Sequence, residues 1–141
     1  MKQTVLIADG DAELCDLCRR FLMTHGYDAE TAFDGLDCLE KLLQLKPDVL
    51  VLDQSLHWRG AGGVFASLGK ESLMPGIPVI LLGTAGSPRD FADFIELPIV
   101  DYLPKPFALI VLVEKVRSAV AKQGQRGPSK LNRDCPELLI G

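Results

Sequence analysis

The segment Val49-Leu50-Val51-Leu52 constrains this chain most. It is apolar on both alternating faces, and a strand tolerates that only where helices cover both sides of its sheet. Residues 79–82, after Pro78, repeat the pattern, and residues 5–8 open it. Between these runs lie stretches with apolar residues at helical spacing, and such alternation is the signature of a parallel α/β sheet.

The repeats can be followed in order. After the strand at residues 5–8, Leu14, Leu17, Cys18, Phe21 and Leu22 predict the inner stripe of a helix that ends at His25-Gly26. Tyr27, Ala29 and Thr31 alternate with polar neighbours, as a half-covered edge strand does, and Leu36, Leu39, Leu42 and Leu43 stripe a second helix that closes at Pro47-Asp48. The third strand, residues 49–52, ends at Asp53, and a polar loop over 54–63 leads to a helix near 64–70. The fourth strand spans 79–82, a helix around 88–96 carries Phe91, Phe94 and Ile95, and a fifth strand spans 100–103. Leu109, Leu112, Val113, Val116 and Val120 mark a last helix. One domain over residues 1–122 is expected, followed at 123–141 by a flexible tail or linker rich in Gly, Gln, Arg, Pro, Ser and Asn.

Composition excludes several classes. A chain of 141 residues with 48% hydrophobic and 24% charged residues is that of an ordinary globular domain. The longest apolar stretch, 107–113, falls far short of the roughly 20 residues a bilayer demands, and Asp9 interrupts the run at 5–8 before it reaches signal-peptide length. A cytoplasmic location and no membrane contact are therefore expected. A net charge of −4 without a Lys/Arg cluster argues against direct nucleic-acid binding. Cys15-x-x-Cys18, Cys38 and Cys135 lack the second paired ligand set of a zinc site, so the thiols are expected to be reduced and the helical ones packed.

In open parallel sheets, functional groups gather beyond the carboxyl ends of the strands. Asp9 and Asp11 follow the first strand, Asp53 follows the third and Lys105 the fifth. Strands one and three side by side would bring the three carboxylates together, where their repulsion calls for a cation or a protonated member. A hard divalent ion, Mg2+, is the simplest answer.

The sequence resembles the receiver domain of two-component response regulators. The likeness rests on Val5-Leu6-Ile7-Ala8-Asp9-Gly10-Asp11, on the strand end Val49-Leu50-Val51-Leu52-Asp53, and above all on Asp101-Tyr102-Leu103-Pro104-Lys105-Pro106-Phe107. It implies a flavodoxin-like, doubly wound, five-stranded parallel sheet of order 2-1-3-4-5 with five helices. It also implies a phosphoacceptor signalling domain, not an enzyme beyond self-phosphorylation and autodephosphorylation. A sensor histidine kinase or phosphotransfer protein would donate the phosphoryl group to Asp53. Asp9, Asp11, Asp53 and the Ser55 carbonyl would hold Mg2+, Lys105 would neutralise the phosphoryl oxygens, and Lys105-Pro106 would be a cis peptide bond. A switch of the fourth-helix, fifth-strand, fifth-helix face would drive output, such as transcription regulation, through a domain or partner not on this chain.

The pattern is broken in places. Gly10 stands where the family has a second adjacent acid, so Asp11 either reaches in through the freedom of the glycine or caps the first helix. Gly83 stands where the family has the Thr or Ser that bonds the phosphoryl group, and Thr84, one residue late, serves only if Gly83 allows a bulge. Tyr102 is then either the inward-turning switch aromatic or a static one. The loop Leu56-His57-Trp58-Arg59-Gly60-Ala61-Gly62-Gly63 is about two residues longer than usual and lacks the usual Pro and Asp; Trp58 and Arg59 either gate donors at the pocket, stack on a partner or simply pack.

Ile110 and Val111 widen the apolar face of the last helix, for a homodimer, a docked partner or a broader buried stripe. Leu138-Leu139-Ile140-Gly141 resembles the entry to the AAA+ domain of nitrogen-regulator-type activators, or is an ordinary terminus. Two other functions compete: a binding-only receiver that has lost phosphorylation through Gly10 and Gly83, and a haloacid-dehalogenase-like phosphatase using Asp9-Gly10-Asp11, Thr84 and Lys105. The second leaves Asp53 unexplained.

Overall fold

A computed structural model describes residues 2–56, 76–84 and 98–126, except for the side chains of Thr84 and residues 123–126. Five parallel strands, β1 (Thr4–Ala8), β2 (Asp28–Ala32), β3 (Val49–Asp53), β4 (Val79–Thr84) and β5 (Ile99–Lys105), form one sheet in the order β2-β1-β3-β4-β5. This is the expected doubly wound order, with β2 on the edge. Three helices, α1 (Ala12–Thr24), α2 (Gly35–Leu45) and α3 (Leu109–Arg126), lie within the described residues. The helices expected near 64–70 and 88–96 fall outside them, as do Trp58, Arg59 and the segment 127–141. The last helix continues to Arg126, past the expected domain boundary at 122.

The apolar runs are buried on both faces, as their lack of alternation requires. Val5, Ile7, Val49, Val51, Ile80 and Leu82 point to one side and pack with Cys15, Cys18 and Leu22 of α1 and Leu112, Val113 and Val116 of α3. Leu6, Ala8, Leu50, Leu52 and Leu81 point to the other and meet Cys38 and Leu42 of α2. Each fully buried aliphatic side chain contributes roughly 1.5–3 kcal/mol. No described helix is long and apolar enough to cross a membrane.

The helix stripes differ from expectation at three leucines. Leu17, Leu36 and Leu43 are exposed, at 52%, 54% and 46%. The inner positions belong to Cys15, Cys18 and Leu22 in α1 and to Gly35, Cys38 and Leu42 in α2. Helical spacing from these inner positions leaves Leu17, Leu36 and Leu43 off the buried face. In α3, Val111 joins the buried stripe in part, whereas Ile110 remains 45% exposed.

Turn chemistry sets the ends of these helices. Asp11 caps α1 and Asp34 caps α2 through side-chain oxygens that accept N–H groups of the first turn. Gly26, at φ +95°, closes α1 in the left-handed conformation that glycine adopts most easily. As the resemblance implied, the Lys105-Pro106 peptide bond is cis.

Candidate functional site

Strand register builds the site. Ala8 pairs with Leu52, so Asp9, directly after β1, lies beside Asp53 at the end of β3. Thr84 pairs with Lys105, which brings the last residue of β5 to the same sheet edge. Asp9 and Asp53 are the two charged residues buried among those described, at 2% and 7% exposure.

One ammonium serves both acids. Lys105 Nζ stands 2.7 Å from Asp9 Oδ2 and 3.5 Å from Asp53 Oδ1. Burial, the largest single influence, pushes the lysine pKa down, but the hydrogen bond to Asp9 and the charges of Asp53 and Asp9 together outweigh it and hold the ammonium above its ordinary value. Asp9 Oδ1 also accepts the Asp11 N–H at 2.9 Å.

Asp53 is held more loosely. The Ser55 hydroxyl reaches its Oδ2 at 3.2 Å and the Ser55 N–H its Oδ1 at 3.4 Å, both at the long end of hydrogen bonding. Its oxygens are thus less committed than those of Asp9. Behind the site, burial first and then the charge of Asp9 push the Cys15 thiol up to about 12. Its Sγ donates to the Asp9 carbonyl at 3.2 Å.

Asp11 departs from the expected convergence of three carboxylates. Its Oδ1 accepts the N–H groups of Glu13 and Leu14 at 3.1 and 3.2 Å, and the residue is exposed. Four N–H groups at a helix start lack intrahelical partners, and an extended Asp just before them meets that need locally. Gly10 does not take up the freedom expected of it, because its φ lies outside the left-handed range. Accordingly, no set of three or more His, Cys, Asp or Glu side chains comes together as a metal site among the described residues.

The end of β4 also differs. Pairing stays regular through Gly83 and Pro104 to Thr84 and Lys105, and the register shift lies instead at Val79/Ile80. The bulge that Thr84 was expected to need at Gly83 is therefore absent, and the Thr84 side chain lies outside the described part. Tyr102, half-buried against the α2-side core, lies over Gly83 together with Gln54. Gln54 was not anticipated. The available signal was a glycine near a strand end beside a bulky aromatic on the next strand, a common mark of close approach.

Comparison with known proteins follows this geometry. The sequence profile of the response regulator receiver domain matches residues 5–117. Among curated proteins, the transcriptional regulatory protein PrrA of Mycobacterium leprae is 30% identical over 125 residues, covering 89% of this chain and 53% of PrrA. The chain thus spans about half the length of the curated relatives it matches. Among solved structures, the receiver domain of the Francisella response regulator 1452 superposes with a TM-score of 0.75 at 26% identity, covering 86% of this chain and 98% of that one. A CheY-like receiver domain protein from Methanospirillum hungatei shares the fold at a TM-score of 0.82 and 22% identity, covering 90% of this chain and 100% of that one. The profile match extends over most of the chain and takes in the strand ends that carry Asp9, Asp53 and Lys105, and the chain belongs to the receiver-domain family of two-component response regulators.

Proposed function

We propose that this chain accepts a phosphoryl group on Asp53 from a phosphohistidine of a sensor kinase or phosphotransfer protein. The observation that carries this reading is the shared ammonium: Lys105 spans a tightly paired Asp9 and a loosely held Asp53 at one sheet edge. An Asp53 oxygen attacks phosphorus, the P–N bond breaks with its electron pair passing to the imidazole, and an acyl phosphate results. Lys105 then has phosphoryl oxygens to pair with, so the positive charge is in place before the negative charge arrives.

The residues fit a hard cation. Two buried carboxylates and one ammonium leave one negative charge at the sheet edge, and the donors are all oxygen. Asp9, Asp53 and the backbone carbonyl of Ser55 would hold Mg2+, which when bound neutralises charge on the moving phosphoryl group. Asp11 has a helix-capping role instead. The phosphatase alternative needs an open nucleophile at Asp9, whereas Asp9 is buried and paired. Output through a domain or partner, including transcription control of the kind PrrA's name states, belongs to this same reading.

Incubation with acetyl phosphate and Mg2+, followed by intact-mass detection, tests it. One phosphoryl group per chain is expected for the parent and none for Asp53→Asn. No gain in the parent would leave a binding-only receiver.

A further inference from the structure

Each polar group of Asp9 has its own partner. Its N–H donates to the Ala32 carbonyl at 2.9 Å, its Oδ1 accepts the Asp11 N–H at 2.9 Å, and its Oδ2 lies 2.7 Å from Lys105 Nζ. The remaining group, the backbone carbonyl, turns toward α1 and accepts the Cys15 thiol at 3.2 Å in a buried hydrogen bond. Cys15 holds the same loop a second time, because its own N–H donates to the Asp11 carbonyl at 3.0 Å. One residue, only 1% exposed, thus grips both ends of the three-residue connection between β1 and α1.

The middle of that connection is Gly10. Its φ lies outside the left-handed range, yet glycine enters that range with little strain, so the Asp9-Gly10 peptide can turn over at low energetic cost wherever nothing holds its carbonyl. A turned peptide loses the thiol and re-aims the loop whose Asp11 N–H steadies Asp9 Oδ1.

We propose that Cys15 is a positioning residue: by holding the Asp9 carbonyl through its thiol, it fixes the Asp9-Gly10 peptide and keeps the Asp9 carboxylate aimed for a divalent cation. This rests on the phosphoacceptor reading above, in which Asp9 and Asp53 hold Mg2+. A thiol is a weak donor, but the bond is buried, where leaving a carbonyl unpaired costs more than pairing it gains. The need for the thiol follows from the glycine. A side chain at position 10 would itself oppose the turned form, and a Cβ fits the observed one, meeting only the Phe33 carbonyl oxygen at 3.7 Å.

Calorimetric titration with MgCl2 tests this on the parent, Cys15→Ala, Cys15→Ser and Cys18→Ala. Cys18 controls for packing, since its thiol is as deeply buried in the same core. Cys15→Ala is expected to bind Mg2+ about 2- to 10-fold more weakly, the range for one hydrogen bond, and Cys15→Ser, which returns a donor, about as tightly as the parent. Cys18→Ala is expected to melt at a lower temperature with its Mg2+ affinity unchanged. In a Gly10→Ala background, the Cys15→Ala change is expected to cost less affinity than it does in the parent. If Cys15→Ala does not fold, Cys15→Val, which fills the site and donates nothing, takes its place.

Parent-level affinity in Cys15→Ala, or the same loss of affinity in Cys18→Ala, overturns this proposal alone. So does a Cys15→Ser variant as weak as Cys15→Ala, or an undiminished cost beside Gly10→Ala. A parent that binds no Mg2+ overturns the cation site of the phosphoacceptor reading and this proposal with it.

Discussion

Lys105 is paired more closely with Asp9 than with Asp53, at 2.7 Å against 3.5 Å. The ammonium therefore serves first to neutralise the most deeply buried acid of the sheet edge, and second to face the acceptor. Removing it strands the Asp9 charge in a site only 2% exposed.

Lys105→Met is expected to destabilise the fold by about 3 kcal/mol, at the lower end for a broken buried pair because the lysine side chain is partly solvated. Asp9→Asn in the same chain should recover part of that loss. Urea denaturation of both single variants and the double variant measures the coupling. Because the folded-state pKa of Lys105 lies above its ordinary 10.5, the pair's contribution is complete below that pH and disappears as pH rises through the higher folded value.

The thiols give a second, separable pH dependence. Burial, first among the causes, pushes Cys15, Cys18 and Cys38 each up to about 12 from the ordinary 9.0. The unfolded chain ionises these groups first, so their contribution is intact below pH 9.0 and is lost between there and about 12. Each thiol adds a slope of about 1.4 kcal/mol per pH unit in that window. Stability measured from pH 8 to 11 should fall steeply in the parent and less steeply in a Cys15→Ala/Cys18→Ala/Cys38→Ala variant.

Asp11 separates capping from metal binding. Asp11→Ala should lower stability by about 1 kcal/mol, the usual loss for an N-cap, while the extra stability conferred by Mg2+ stays the same. A loss of the Mg2+ increment would instead make Asp11 a ligand.

Gly10 has room for a side chain. A Cβ there would meet only the Phe33 carbonyl oxygen, at an ordinary 3.7 Å, and its backbone is not left-handed. Gly10→Asp should therefore fold, and by placing another carboxylate next to Asp9 it should raise the melting-temperature gain produced by Mg2+ above that of the parent. Thermal melts across a Mg2+ titration compare the two.

Much of the fold was legible because burial on both faces leaves an unmistakable trace: Val49 to Leu52 read as a central strand, and that strand is central. The order of the sheet came from resemblance, since periodicity does not encode which strands are neighbours. The helix stripes that leucine spacing predicts differ from the buried faces at Leu17, Leu36 and Leu43, because the smaller Cys15, Gly35 and Cys38 fill inner positions. At the site, Asp9, Asp53 and Lys105 were legible from their places at strand ends. Asp11 had two compatible roles, and the local hydrogen bonds to Glu13 and Leu14 prevailed. The meeting of Gln54 and Tyr102 over Gly83 depends on cross-strand contact between distant segments, which spacing along the chain does not reveal.

Borohydride trapping tests the central claim most directly. The chain is treated with acetyl phosphate and Mg2+, then reduced so that any aspartyl phosphate becomes homoserine, and its peptides are sequenced by mass spectrometry. Homoserine at position 53 and nowhere else is the predicted result. Homoserine at another acid, or at none, would contradict Asp53 as the acceptor.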